Sequence, residues 1–201
     1  MGLTATEDLS VAIRSTYAGV HCLKVLETER LVLRRFEPDD AQFILELVND
    51  PDWLRFIGDK SVRNLEDARG YIRKGPMDMY ARHGFGLYCV ELKANATPIG
   101  MCGLLKRDTL EDVDIGFAFL PRFRSQGYGR EAAQATLAYG ADVLGLKRIV
   151  ATTTPDNDAS GRLLGKIGLR FERMFAVPGE DREVRLYSCS LPACRAENIA
   201  T

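Results

Sequence analysis

Histidine is almost missing from this sequence: His21 and His83 are the only two. The five cysteines, Cys22, Cys89, Cys102, Cys189 and Cys194, form no C-x-x-C pair and stand at irregular spacings. That scarcity argues against a zinc site or any other metal centre. An odd number of cysteines without a repeated spacing also argues against a disulfide framework, so a reducing, cytoplasmic location is expected. Cys89 and Cys102 lie in apolar, strand-like runs and read as small buried hydrophobes. A surplus of charge is missing too. Lys and Arg number 27 against 28 Asp and Glu, for a formal net charge of −1. A nucleic-acid partner, which calls for a basic face, is therefore not expected. No apolar run reaches the roughly 18–20 residues that a spanning helix needs, so no membrane partner is expected either. The first residues carry Glu7 and Asp8 and lack the basic-then-apolar order of a secretory signal. Repeats and low-complexity stretches are absent. What is present is a chain of 201 residues, 46% apolar, enough for the core of one domain.

Apolar periodicity and turn residues divide the chain. Residues 1–23 show weak patterning and read as an N-terminal extension. A domain is expected over 24–192, and 193–201 reads as a tail. Strands are expected at 28–36, 85–92, 98–105, 113–120, 148–153, 169–177 and 183–191. A helix capped by Pro38-Asp39-Asp40 is expected to run to Val48 and to end at Asn49-Asp50-Pro51. Another spans 65–80, with Gly70, Gly75 and Pro76 breaking it. A third covers 128–144, and a short one follows Asp156 or Asn157, carrying Leu163, Leu164 and Ile167. Early hairpins and a central strand–helix–strand crossover imply one α/β domain of mixed α+β type. Its sheet is mixed and mostly antiparallel, of about seven strands, with helices on both faces.

The chemistry concentrates in Arg124-Ser125-Gln126-Gly127-Tyr128-Gly129-Arg130, between a strand and a helix. Two glycines let the backbone turn and leave its N–H groups unshielded. The following helix adds free N–H donors and the positive end of its dipole, and the combination suits phosphates. No Walker-type G-x-x-x-x-G-K-[ST] string exists. Gly127-Tyr128-Gly129-Arg130-Glu131-Ala132 formally satisfies the dinucleotide pattern G-x-G-x-x-A, with Asp156 further on. However, Pro121 to Gln126 separate its first glycine from the strand, contrary to that fold.

The same segment, as Arg124-x-x-Gly127-x-Gly129, resembles the [RQ]-x-x-G-x-[GA] signature of the GNAT superfamily of N-acetyltransferases. Asp114-Ile115-Gly116-Phe117 resembles the strand that leads into that motif. Asn157-Asp158-Ala159-Ser160-x-x-Leu163-Leu164-x-Lys166-x-Gly168 and Thr28-Glu29-Arg30-Leu31-x-Leu33-Arg34 resemble the branch that acetylates ribosomal-protein N-termini. The likeness covers about residues 26–191, with its motifs in the family's order.

The resemblance implies a GNAT-like domain with acetyl-CoA as cofactor. Two neighbouring strands, by position 113–120 and 148–153, would splay apart and admit the pantetheine arm. The backbone of Phe117, Ala118, Phe119 and Leu120 would bond that arm, one N–H polarising the thioester carbonyl. The pyrophosphate would lie on the loop of Arg124, Ser125, Gln126, Gly127, Tyr128, Gly129 and Arg130. Asn157 and Ser160 would bond the cofactor from the second helix, Ser160 near its sulfur. The reaction is direct attack of a primary amine on the acetyl thioester. The amine must first lose a proton, and Asp114 is the candidate base, with Glu111 and Asp112 as rivals. Many relatives carry a tyrosine as acid where this chain has Leu164; Tyr187 and His83 are further candidates for proton transfer. Trp53, Arg55 and Phe56 are the candidate acceptor-binding residues. A peptide or protein N-terminus is the leading acceptor, followed by a small amine such as a polyamine, amino acid or aminoglycoside. A monomer or homodimer is expected. Two alternatives stay open: an acyl-CoA-binding module without turnover, and a dinucleotide-dependent oxidoreductase.

Overall fold

The structure is a computed structural model and describes residues 24–178 and 183–191. The expected extension at 1–23 and tail at 193–201 lie outside those residues.

Among the described residues, eight strands form one sheet. In chain order they are β1 (Lys24–Glu27), β2 (Leu31–Arg34), β3 (Leu87–Leu92), β4 (Pro98–Leu105), β5 (Asp114–Phe119), β6 (Arg148–Thr153), β7 (Arg170–Ala176) and β8 (Glu183–Ser190). Their spatial order is β1-β2-β3-β4-β5-β6-β8-β7, and every neighbouring pair is antiparallel except β5–β6. The mixed, mostly antiparallel sheet is as expected, with one strand more. β1 is the addition, and the strand expected at 28–36 is the shorter β2. Between the two, Thr28 N–H donates to Leu31 O at 2.9 Å and turns the chain.

Among the described residues, six α-helices accompany the sheet: α1 (Ala41–Val48), α2 (Pro51–Phe56), α3 (Leu65–Ile72), α4 (Asp78–His83), α5 (Tyr128–Asp142) and α6 (Asp158–Lys166). The helix expected at 65–80 is α3 and α4 joined by a π-turn at Arg73–Met77 that contains Pro76. Gly75 and Pro76 mark the break, whereas Gly70 sits inside α3. Asn49-Asp50-Pro51 ends α1 as expected, and it also starts α2. Asp50 caps that helix by accepting the N–H groups of Asp52 and Trp53, with Pro51 as first residue.

Strand alternation sorts the core into two layers. Cys102 and Leu104 on β4, opposite Phe117 and Ile115 on β5, pack with Ala133 and Leu137 of α5 and Leu164 of α6. Met101, opposite Ala118, faces the other way and packs with Ile44 and Leu47 of α1, Trp53 of α2 and Ile72 of α3. Each fully buried Leu or Ile contributes about 1.5–3 kcal/mol of transfer free energy. The first layer lies against α5 and α6, and the second against α1, α2 and α3.

Candidate functional site

β5 and β6 run parallel but share a single register pair, Asp114 with Val150. The bond from Val150 N–H to Val113 O at 3.0 Å, part of that pairing, closes the narrow end. Beyond it the strands part, so the expected splay is present.

The antiparallel ladder on the other side of β5 decides which backbone groups face the gap. Leu120 N–H donates to Ile99 O at 3.0 Å. In such a ladder both polar groups of alternate residues face the same partner strand. Ala118 and Leu120 are thus turned toward β4, and Phe117 and Phe119 turn their N–H and C=O groups toward β6. This corrects the expectation that the whole run 117–120 is available. Leu120 spends its N–H on β4 and buries its side chain in the second core layer. Phe117 presents its N–H and C=O to the gap and Phe119 its N–H, the Phe119 carbonyl being taken by the Arg124 side chain.

At the wide end, β5 leads through a 3-10 turn at Pro121–Phe123 into the glycine loop and α5. Ser125 and Gly127 both have positive φ, +60° and +85°. Glycine is needed most at 127, the N-cap of α5, where an added Cβ would come within 3.2 Å of Arg30 Nη2. Ser125, Gln126, Gly127 and Arg130 are exposed, and a cavity of about 580 Å³ opens beside Gly127, Arg130 and Glu131. Gly129 and Ala132 face inward instead: a Cβ on Gly129 would meet Leu163 at 3.3 Å, and Ala132 is fully buried. The two therefore serve helix packing.

Arg124 does not extend into solvent. Its Nε donates to Phe119 O at 2.7 Å, its Nη2 to Asp50 Oδ1 at 2.5 Å, and its Nη1 pairs with Asp52. It thereby ties the loop to the start of α2. At the other end of α2, Arg55 donates to Asp156 Oδ2 from Nε at 3.2 Å and Nη2 at 2.8 Å. Asp156 follows β6, so α2 bridges the wide end of the gap between the two splayed strands. Arg55 also lies over the half-buried Phe56 ring at 4.8 Å. Trp53 points into the second core layer and is 4% exposed. Burial makes it the support of α2, whereas Arg55 is exposed and reaches the segment that follows β6.

Asn157 and Ser160 meet at the start of α6: Ser160 N–H donates to Asn157 Oδ1 at 3.1 Å, so Asn157 is the helix cap. The Tyr187 hydroxyl lies on this helix too, 2.8 Å from where a Cβ of Gly161 would stand. Leu164 is buried in the first core layer.

Asp114, at the narrow end, is 1% exposed. Its alternation with Ile115 places its side chain on the α1–α3 face. Arg107 Nε lies 3.1 and 3.0 Å from its two oxygens. Burial pushes the Asp114 carboxyl above its ordinary value, while the Arg107 charge and hydrogen bonds pull against that rise. Tyr71 of α3 is close enough to feel the same guanidinium, and burial pushes its phenol up to about 12. Neither Asp112 nor Glu111 shares this setting: Asp112 pairs with Arg148 at 2.8 Å, and Glu111 is exposed. His83 is an exposed residue at the end of α4, beside Phe85. Among the described residues no His/Cys/Asp/Glu group could hold a metal. None of their helices is long and apolar enough to cross a membrane.

Sequence reasoning missed the partners of these residues more than the residues themselves. Arg107, Asp52 and Tyr71 carry no local motif. The signal for Asp50 was its place before a proline.

A family model for the acetyltransferase (GNAT) domain matches residues 30–170. The chain belongs to the GNAT family of acetyltransferases. The uncharacterized N-acetyltransferase YnaD of Bacillus subtilis (strain 168) is 34% identical over 150 residues, covering 75% of this chain and 85% of YnaD. The crystal structure of a GNAT acetyltransferase from Bacillus anthracis superposes with a TM-score of 0.70 at 31% identity, over 82% of this chain and 97% of that one. A ribosomal-protein-S5-alanine acetyltransferase from Vibrio fischeri shares the fold, with a TM-score of 0.68 at 18% identity, over 83% and 96% of the two chains. The GNAT assignment makes this an acyltransferase of the acetyl-CoA-dependent kind. It displaces the dinucleotide alternative, whose G-x-G-x-x-A string here opens a helix beside a mostly antiparallel sheet.

Proposed function

We propose that this GNAT domain moves the acetyl group of acetyl-CoA to an N-terminal amine of a peptide or protein by direct attack. The observation that carries the reading is the single register pair between β5 and β6, which leaves an open strand edge leading to a positive-φ loop at a helix start. An amide-rich arm pairs with such an edge as an added strand does. The Phe117 N–H and C=O and the Phe119 N–H would hold the pantetheine, and an N–H there would polarise the thioester carbonyl as negative charge develops on its oxygen. The N–H groups of residues 125–130 would hold the pyrophosphate, with Arg130 adding charge. Asn157 and Ser160 lie where the arm would pass the second helix.

Asp114 acts as the base. An α-amine titrates near ~8, so roughly a tenth of it is neutral at pH 7, and a lysine amine near ~10.4 is far less so. A carboxylate raised by burial is a better proton acceptor than an exposed one. Arg107 uses one direction on each Asp114 oxygen, leaving others for the amine proton, directly or through one water. Arg55 and Phe56 would border the acceptor.

The test is turnover on a panel of free-N-terminal peptides, Nα-blocked lysine peptides, a polyamine and an aminoglycoside, with acetyl-CoA binding measured first. Acetylation of the free N-termini above the rest is expected. Activity confined to the polyamine or aminoglycoside would replace the acceptor assignment. Binding of acetyl-CoA with no turnover on any amine would leave a binding module.

A further inference from the structure

We infer that Arg30 is a positioning residue for the phosphate loop, turning the Gly127 N–H toward the acyl donor; this rests on the acetyl-CoA reading above. Arg30 follows β1 and precedes β2, far in sequence from the loop. Its backbone N–H donates to Glu131 Oε1 at 2.8 Å, and its Nε donates to Glu131 Oε2 at 2.7 Å. Nη2 also stands 2.7 Å from Oε2. Thr28 Oγ1 donates to the same carboxylate at 2.6 Å. Glu131 lies in the first turn of α5, so the whole β1–β2 turn is docked on the helix start.

The remaining arm of the guanidinium reaches the loop itself: Nη1 donates to Gln126 O at 3.1 Å. The guanidinium carbon also lies over the Tyr128 ring, 4.6 Å from its centroid. Gln126 C=O and Gly127 N–H belong to one trans peptide unit, so they point in opposite directions. When Arg30 holds the carbonyl on its own side, the N–H is turned to the other. The same bond keeps a carbonyl oxygen from facing a phosphate, where like partial charges would repel. The positive φ at Ser125 and Gly127 gives the loop its shape, and an anchor outside the loop selects this peptide orientation against its flipped alternative. Every nitrogen of the guanidinium is already engaged, with Glu131 and Gln126. Arg30 therefore acts through the loop and not by touching the donor.

The experiment compares wild type with Arg30→Ala, and with Arg30→Lys in case the alanine variant folds poorly. A lysine keeps the charge but lacks the fork that spans Glu131 and Gln126 together. Each is assayed with acetyl-CoA, with acetyl-dephospho-CoA, which lacks only the 3′-phosphate, and with acetyl-pantetheine, which has no phosphate. The expected result is a KM for acetyl-CoA raised about tenfold, the loss of one charge-assisted contact. The kcat and the acceptor KM stay near wild type. The loss persists with acetyl-dephospho-CoA and disappears with acetyl-pantetheine. An equal loss with acetyl-pantetheine would mean a general structural role and overturn the inference. A loss that vanishes with acetyl-dephospho-CoA would mean direct contact with the 3′-phosphate and also overturn it. Wild type that binds acetyl-CoA while both variants bind it equally well sinks the inference alone, whereas wild type that fails to bind acetyl-CoA sinks the acetyltransfer reading with it.

Discussion

Asp114 and Val150 face each other as the one register pair of β5 and β6, and the strands part from that point. The candidate base thus sits where the cleft closes, beneath the open edge formed by Phe117 and Phe119. Its sequence neighbours are placed by strand alternation to serve the core, and Asp114 alone brings a carboxylate to that spot among the residues of β5. The base and the cofactor edge are two consequences of one strand departing from its neighbour.

Asp114→Asn is expected to lower kcat/KM by about a hundredfold, the scale of a lost general base. The acid limb of the pH–rate profile should go with it. A base works ionised, so wild-type activity should fall as pH drops through the raised Asp114 pKa. Stability moves the other way. A folded-state pKa above the ordinary 3.8 means that the folded protein binds the proton more tightly. Wild-type stability from this group is then greatest below 3.8 and falls as pH rises through the raised value. The asparagine variant, free of that burden, should melt no lower than wild type at neutral pH. A retained acid limb in the variant would remove Asp114 as the base.

Gly127→Ala and Gly127→Asp separate backbone strain from charge. Either side chain must adopt φ near +85° and approach Arg30 Nη2 at about 3.2 Å. A left-handed alanine costs about 1–2 kcal/mol, so a lower melting temperature is expected for that variant. Aspartate tolerates this conformation better, yet it adds a carboxylate beside the proposed pyrophosphate position. Calorimetric titration should find acetyl-CoA affinity at least tenfold weaker in Gly127→Asp than in Gly127→Ala. Equal affinities would place the phosphates elsewhere.

Trp53→Ala is expected to act on stability. The ring is almost wholly buried in the layer that holds α1, α2 and α3. Truncating a buried tryptophan costs about 3–5 kcal/mol, on the order of 10 °C in melting temperature for a chain of this size. Arg55→Ala removes an exposed ion pair with Asp156 and a contact over the Phe56 ring, and should leave the melting temperature nearly unchanged. Its expected effect is on the acceptor KM, because it is proposed to border the acceptor. Scanning calorimetry beside steady-state kinetics distinguishes the two residues, and a stable Trp53→Ala with an impaired acceptor KM would reverse their roles.

Regular elements were legible where one local pattern decides the outcome. The strands at 98–105 and 148–153 fall where alternation and β-branched runs put them. The glycine loop was legible for the same reason, and the cap of α6 was narrowed to Asp156 or Asn157, since a turn residue and its helix are adjacent in sequence. β1 was not: four residues of an edge strand, Lys24 to Glu27, give too short a period to separate from an extension. α2 was hidden because Asp50-Pro51 is both a stop for one helix and a start for the next. Arg124 matched a motif position, but its partners Asp50 and Asp52 lie more than 70 residues earlier in the chain. Arg30 and Glu131 are 101 residues apart. Pairings of that span follow from the order of strands in the sheet, and local periodicity carries no trace of them.

Asn157 offers the sharpest separation of fold from cofactor. Its Oδ1 accepts the Ser160 N–H and caps α6. Asn157→Ala removes that acceptor and leaves the first turn of a nine-residue helix uncapped. A loss of about 1 kcal/mol, or roughly 2–4 °C, is expected. Asn157→Asp keeps an oxygen in the capping position, and a negative charge at a helix start is favourable, so stability should hold. What aspartate lacks is the amide N–H that the proposed cofactor role requires. Asn157→Asp should therefore weaken acetyl-CoA binding while leaving the melting temperature of the ligand-free protein at the wild-type value. If affinity survives in the aspartate variant and falls only in proportion to stability in the alanine variant, Asn157 caps the helix and does nothing further.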